Sequence, residues 1–121
     1  MVFNCLAVNQ DDHVKNISFI MDRTGKWTLS PGYDITFSYN PDNKWLRAHQ
    51  MTINGKTQGI GLSDLLICGR KLGIKERRCK DIISEVRAAV CKFAAYAEQA
   101  GIKEKTVEYI ASIIDANKIE I

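Results

Sequence analysis

Apolar positions change their period about halfway along the chain. Through Gly61 they fall in short runs rich in β-branched and aromatic residues, and from Leu62 onward they recur every three or four residues. In the first half, residues 17–21 and 26–29 read as strands, and the Asp22-Arg23-Thr24-Gly25 stretch between them suits a tight turn, which predicts a β-hairpin. Residues 30–50 are less regular, with Pro31-Gly32 and Asn40-Pro41-Asp42-Asn43 breaking any period. A short strand at residues 51–53, closed by Asn54-Gly55, is predicted after them. An irregular segment of that length is more often functional than connective.

The second half predicts helices. Ser63 is placed to N-cap one that runs through Leu72, with Gly73 as its stop. Residues 75–100 put Cys79, Ile82, Ile83, Val86, Ala89, Val90, Phe93, Ala94 and Ala97 on one face before Gly101. A third helix over residues 103–117 offers Val107, Ile110, Ala111 and Ile114 as a stripe to pack against that face. No internal repeat is visible. The pattern predicts one α+β domain over residues 1–121, in which about three helices support an irregular, chemically loaded N-terminal half.

Composition narrows the class. With 121 residues, 45% hydrophobic, 26% charged and two prolines, the chain is neither disordered, collagenous nor low in complexity. Its formal charge of +3 is split nearly evenly between the halves and is too weak to argue for direct nucleic-acid binding. Cys5, Cys68, Cys79 and Cys91 have no Cys-x-x-Cys or zinc-finger spacing, so a reduced, cytoplasmic chain is expected. The apolar run at residues 1–8 lacks a basic start, and no long apolar run follows, so neither secretion nor membrane insertion is expected. Arg70, Lys71, Lys75, Arg77, Arg78 and Lys80 gather at the junction of the first two helices. Solvated charge near Glu76 and Asp81 is the ordinary explanation, and an acidic partner is the alternative.

Most of the chemistry lies in Asn9-Gln10-Asp11-Asp12-His13-Val14-Lys15-Asn16. Asp and Asn there suit a solvated turn or a helix cap. Asp11 and Asn16, however, stand as Asp-x-x-x-x-Asn, the spacing of the protein-kinase catalytic loop, in which the Asp takes the substrate hydroxyl proton and the Asn oxygen binds magnesium. Such a site needs a second hard oxygen ligand. Five strand residues run out roughly 17 Å and the return strand retraces them, which brings Asp34 back toward Asn16. Gly59-Ile60-Gly61 has Asp64 in place of a third glycine and precedes a helix, so it is assigned to a turn, not to a phosphate loop.

Three ordered blocks, residues 9–16, Leu29-Ser30-Pro31-Gly32-Tyr33-Asp34 and His49-Gln50-Met51-Thr52-Ile53-Asn54-Gly55-Lys56, resemble the HipA-type toxin kinases of bacterial toxin–antitoxin systems. The resemblance is strong through residue 56 and softer beyond it. It implies the C-terminal lobe of a protein-kinase-like fold and transfer of the ATP γ-phosphate to a Ser or Thr of a protein substrate. It also implies Asp11 as the catalytic aspartate, Lys15 as the offset to phosphoryl charge, and Asn16 and Asp34 as the Mg2+ ligands. His13 and Lys15 are assigned to the cofactor side, with His13 bracing the loop. Asp12 is expected to be a solvated or capping neighbour, and Tyr33 and Phe37 packing residues. Residues 37–45 occupy the place of an activation segment.

A complete kinase of this family has an N-terminal lobe before the catalytic loop, which these residues do not contain, so ATP is expected to bind only when such a lobe is supplied. Three accounts stay open: a piece of a longer kinase, a separate subunit completed by an N-terminal-lobe protein, or a non-catalytic module binding an antitoxin-like DNA-binding regulator. Self-association through the uncovered face is a further expectation. A rival from another class is a metal-dependent phosphoesterase using Asp11, Asp12, His13 and Asp34.

Overall fold

A computed structural model describes residues 1–120. Five α-helices, α1 (Val2–Leu6), α2 (Leu62–Lys71), α3 (Glu76–Val90), α4 (Phe93–Gln99) and α5 (Glu104–Ala116), accompany one antiparallel pair, β1 (Phe19–Met21) and β2 (Trp27–Leu29). The fold is α+β, as the apolar periods predict. α3 packs on both α1 and α2, and α4 packs on α5. Cys5, Leu6, Ile53, Leu65, Ile83 and Ile119 close the core.

The hairpin forms as its turn chemistry predicts. One carboxylate oxygen of Asp22 accepts from the Thr24 N–H (2.8 Å), the Thr24 hydroxyl (2.6 Å) and the Lys26 N–H (3.0 Å). Gly25 takes the left-handed backbone the turn needs, at φ +84°. Phe19 pairs with Leu29 and Met21 with Trp27, so these four large apolar side chains share one face. That face is bare: Phe19 is 61%, Trp27 63% and Leu29 65% exposed.

Three expectations need correction. Residues 51–53 are not a strand. Ile53 and Lys56 exchange both backbone bonds (2.8 and 3.0 Å) across Asn54 (φ +53°) and Gly55 (φ +80°), a tight two-residue turn without a ladder on either side. Ser63 lies within the first turn of α2, because Gly61 is the cap and Asp64 does the capping work. The helix expected over residues 75–100 breaks at Cys91 and Lys92 into α3 and α4. The break leaves Ala89 and Ala94 exposed and turns α4 toward α5. A fourth feature was not expected at all. The apolar run at the N-terminus contains α1, which is capped at Ala7 and followed by Val8 in left-handed backbone (φ +54°), with the Asn9 N–H on the Asn4 carbonyl (2.9 Å). A β-branched residue at φ > 0 is an outlier, and burial of Val8 in the core compensates for it.

The α2–α3 pair approaches closely at Gly69, where an added β-carbon would overlap the sulfur of Cys79. Alanine is ordinarily the better helix former. Here Gly69→Ala is expected to lower stability by about 1–3 kcal/mol through overpacking, and Cys79→Ala in the same chain is expected to restore most of it. Urea midpoints of the parent chain and the two variants decide this.

Candidate functional site

Asn9 is the hub of the site. Its backbone bridges in parallel to Ser38, with the Gln10 N–H on the Ser38 carbonyl (2.8 Å) and the Ser38 N–H on the Val8 carbonyl (3.2 Å). Its side-chain amide donates to the Asn4 Oδ1 (3.1 Å) and to the Asp34 carbonyl (2.9 Å). The Asn9 Oδ1 is buried without a hydrogen-bond partner. From the other side the Tyr33 hydroxyl donates to the Lys15 carbonyl (2.6 Å), so Tyr33, expected as a packing residue, is an exposed clamp. Asp34, in left-handed backbone at φ +51°, is thus held between α1 and the catalytic-type loop. The hairpin brings the two segments together: Ser18 and Ser30 join through the backbone (2.9 Å) and through their hydroxyls (2.8 Å), one step beyond the ladder.

Asn16 closes a short 3₁₀ turn over Val14–Asn16, and its Nδ2 donates to the Asp11 carbonyl (2.9 Å). That bond commits the nitrogen end of the amide and leaves Oδ1 as the end available to a cation. Asn16 and Asp34 line the same cavity, of about 370 Å3, together with Asn9, Asp12, His13 and Thr52. The Asp11 carboxylate is half-exposed, 3.9 Å from the His13 Nε2, too long for a hydrogen bond. His13 was expected to brace the loop by hydrogen bonding. Its Nδ1 is instead buried without a partner. Lys15 is exposed.

Asp12 is not the solvated or capping neighbour expected from sequence. Its side chain is 4% exposed, and its Oδ2 accepts from the Nδ1 of the equally buried His49 at 2.8 Å. Its Oδ1 accepts from the Gln50 N–H (2.7 Å) and the Met51 N–H (3.4 Å). Burial pushes this carboxyl up, but the hydrogen bonds from His49 and the Gln50 N–H outweigh burial and hold it below the ordinary carboxylate value. The pair staples the third sequence block to the catalytic-type loop. Their pairing is not legible in the sequence, because the two lie 37 positions apart and no local pattern joins them.

A second carboxylate stitches the same region. Asp64 accepts from the Asn54 Nδ2, the Gly61 N–H and the Lys56 Nζ, each at 2.9 Å. Those contacts, the Asn54 bond first, hold it down at about 2. A carboxyl lowered on folding stabilises above its unfolded value of about 3.9 and loses that contribution as pH falls toward the folded value. Thermal melts by circular dichroism should therefore show the midpoint falling between about pH 4 and 2. Asp64→Asn should flatten this limb; an equally steep limb in the variant would remove Asp64 as its source.

The donor set suits a hard divalent ion that shares its coordination with phosphate oxygens and water. Asn16 and Asp34 each offer one oxygen-bearing side chain, and among the described residues no group of three or more His, Cys, Asp or Glu could form an all-protein cage. The phosphoesterase reading loses a ligand here, because both Asp12 oxygens are committed. No described helix is long and apolar enough to cross a membrane.

Comparison with known proteins agrees with the three blocks. The model of the HipA-like C-terminal domain matches residues 1–94, which include the whole loop, the hairpin, the Asp34 segment and the Asp12–His49 staple. No curated protein and no solved structure matches the chain. With the match covering well over half of its length, the chain belongs to the HipA-like C-terminal domain family.

Proposed function

We propose that this chain is the catalytic-loop half of a HipA-like serine/threonine protein kinase of a toxin–antitoxin system, active when an N-terminal lobe completes it. The observation that carries the reading is the joint placement of Asn16 and Asp34 on one cavity, with the Asn16 amide nitrogen tied to the carbonyl of Asp11. Asn16 Oδ1 and the Asp34 carboxylate would hold Mg2+, which supplies charge neutralisation at the β- and γ-phosphates of ATP. As the substrate Ser or Thr oxygen bonds the γ-phosphorus and the bond to ADP breaks, Asp11 takes the hydroxyl proton. Lys15 offsets charge on the transferred group, and His13 stands at the cofactor side of the cavity.

The bare apolar face of the hairpin supports the need for a second lobe. A two-stranded sheet is marginal in water by itself, and Phe19, Met21, Trp27 and Leu29 form a continuous patch for a partner to cover. The same face gives a non-catalytic module its basis, with an antitoxin-like regulator as the occupant, and it is where the isolated chain would self-associate.

Manganese can stand in for magnesium as a paramagnetic probe. Sub-stoichiometric Mn2+ added to the labelled chain should broaden the amide signals of Asn16 and Asp34 before any others, and Asp34→Ala should abolish the effect. Broadening centred elsewhere would remove the metal assignment.

A further inference from the structure

A second cavity lies behind the Asp12–His49 staple. Asp12 lines the cavity of Asn16 and Asp34 and His49 lines this one, so the pair is a wall between the two. Its volume is about 200 Å3. At about 30 Å3 for each water, that is room for about six or seven waters, or for a ligand with about as many non-hydrogen atoms. Separate stretches of the chain build the cavity, and their backbones are pinned. The His49 N–H donates to the Thr57 carbonyl (3.0 Å), the Gln58 Nε2 to the Arg47 carbonyl (3.0 Å) and the Arg87 guanidinium to the Ile119 carbonyl (2.6 Å). A cavity framed in this way is formed before anything binds.

Its lining is asymmetric. Cys5, Val8, Ile60 and Ile119 make one side apolar. Gln10, which also lines it, is 7% exposed, and its Oε1 is buried without a hydrogen-bond partner. No protein donor holds that oxygen, so rotation of the terminal amide can turn it to a ligand. The ionised Asp12 can only accept, so the His49 Nδ1 carries the shared proton, and the neutral ring keeps Nε2 as an acceptor away from Asp12. Asn117 donates its Nδ2 to the Ile113 carbonyl (2.8 Å), which leaves its Oδ1 as a further acceptor. Against these stands one guanidinium. Arg47 is exposed at the mouth and enters no ion pair among the described residues. Acceptors backed by the negative charge of Asp12 match an ammonium, and the guanidinium matches a carboxylate. A simple anion would satisfy Arg47 and leave the buried acceptor unmet.

We propose that this cavity binds a small apolar amino acid, with its ammonium toward Gln10 and His49, its carboxylate toward Arg47 and its side chain on the apolar side. The site is separate from the cavity of Asn16 and Asp34, and its use requires neither metal nor nucleotide. Nuclear magnetic resonance titration of the isotope-labelled 121-residue chain with L-alanine tests it. The Gln10 side-chain amide, the His49 ring and the Gly59 amide should shift on one saturating curve, ahead of the amides of Asn16 and Asp34. Ordinary ligand efficiency for about six non-hydrogen atoms corresponds to a Kd of about 50 mM or tighter. Arg47→Gln should weaken binding roughly 10- to 100-fold, the worth of a hydrogen bond to a charged group, and Lys44→Gln in the same loop should not. L-Lactate, with a hydroxyl in place of the ammonium, should bind more weakly than L-alanine. Absence of any shift at about 50 mM, shifts centred on Asn16 and Asp34, unchanged affinity in Arg47→Gln, or lactate binding as tightly as alanine would each overturn the proposal.

Discussion

Replacing Asp12 by alanine is expected to cost the domain about 2–6 kcal/mol, because the His49 ring and the Gln50 N–H would each lose an acceptor, at about 1–3 kcal/mol apiece. The carboxylate is the sole acceptor that the structure gives the His49 Nδ1 and the Gln50 N–H, and both would be left buried without it. Domains of ordinary stability have about 5–15 kcal/mol in hand, so the variant should be near unfolding at moderate temperature. Equilibrium urea denaturation measures the loss. Asp12→Asn, which keeps an acceptor oxygen, should recover part of it, whereas a loss below about 1 kcal/mol for alanine would return Asp12 to the solvated surface.

Its neighbour should behave in the opposite way. In a kinase assembled with its N-terminal lobe, Asp11→Ala is expected to slow phosphoryl transfer by roughly 100- to 10,000-fold, the usual contribution of a positioned general base. Its carboxylate is half-exposed and holds up nothing: the bond to Asn16 uses the Asp11 backbone carbonyl, which alanine retains. The urea midpoint should not move. Unchanged turnover would end the catalytic assignment, and a loss of several kcal/mol would mean that Asp11 acts as a cap. Adjacent aspartates would then divide the work, one setting the rate and the other the stability.

Local chemistry made part of this legible in the sequence. The hairpin follows from Asp22 and Gly25 between β-rich runs, and the Asp11–Asn16 spacing and the Asp34 segment could be brought together by strand length alone. Features that depend on distant partners were not legible. Asp12 is set by His49 across the fold. α1 is only five residues long, and a buried valine takes the left-handed position after its cap where a glycine would have announced the stop. Neither Gly nor Pro marks Cys91 and Lys92, so an unbroken apolar period concealed a change of direction. At residues 51–53 the β-branched and apolar composition was real, but no neighbouring strand exists to pair with it. The basic residues near the α2–α3 junction were visible as charge; the close approach of the two helices at Gly69 and Cys79 was not.

The change of direction at Cys91 and Lys92 also divides cooperativity. It falls close to residue 94, where the family match ends. Inward of it, α1, α2 and α3 share the buried core, whereas outward α4 and α5 pack on each other and α5 buries no residue fully. The chain then returns: Ile119 enters the core, and the Arg87 guanidinium holds its carbonyl at 2.6 Å. Amide hydrogen exchange should accordingly resolve two levels of protection, with the outer pair opening in a sub-global step before the core. That step would also release Tyr109 of α5 from the edge of Phe37, the neighbour of the Ser38 that bridges to Asn9, and the Arg87–Ile119 latch opposes it.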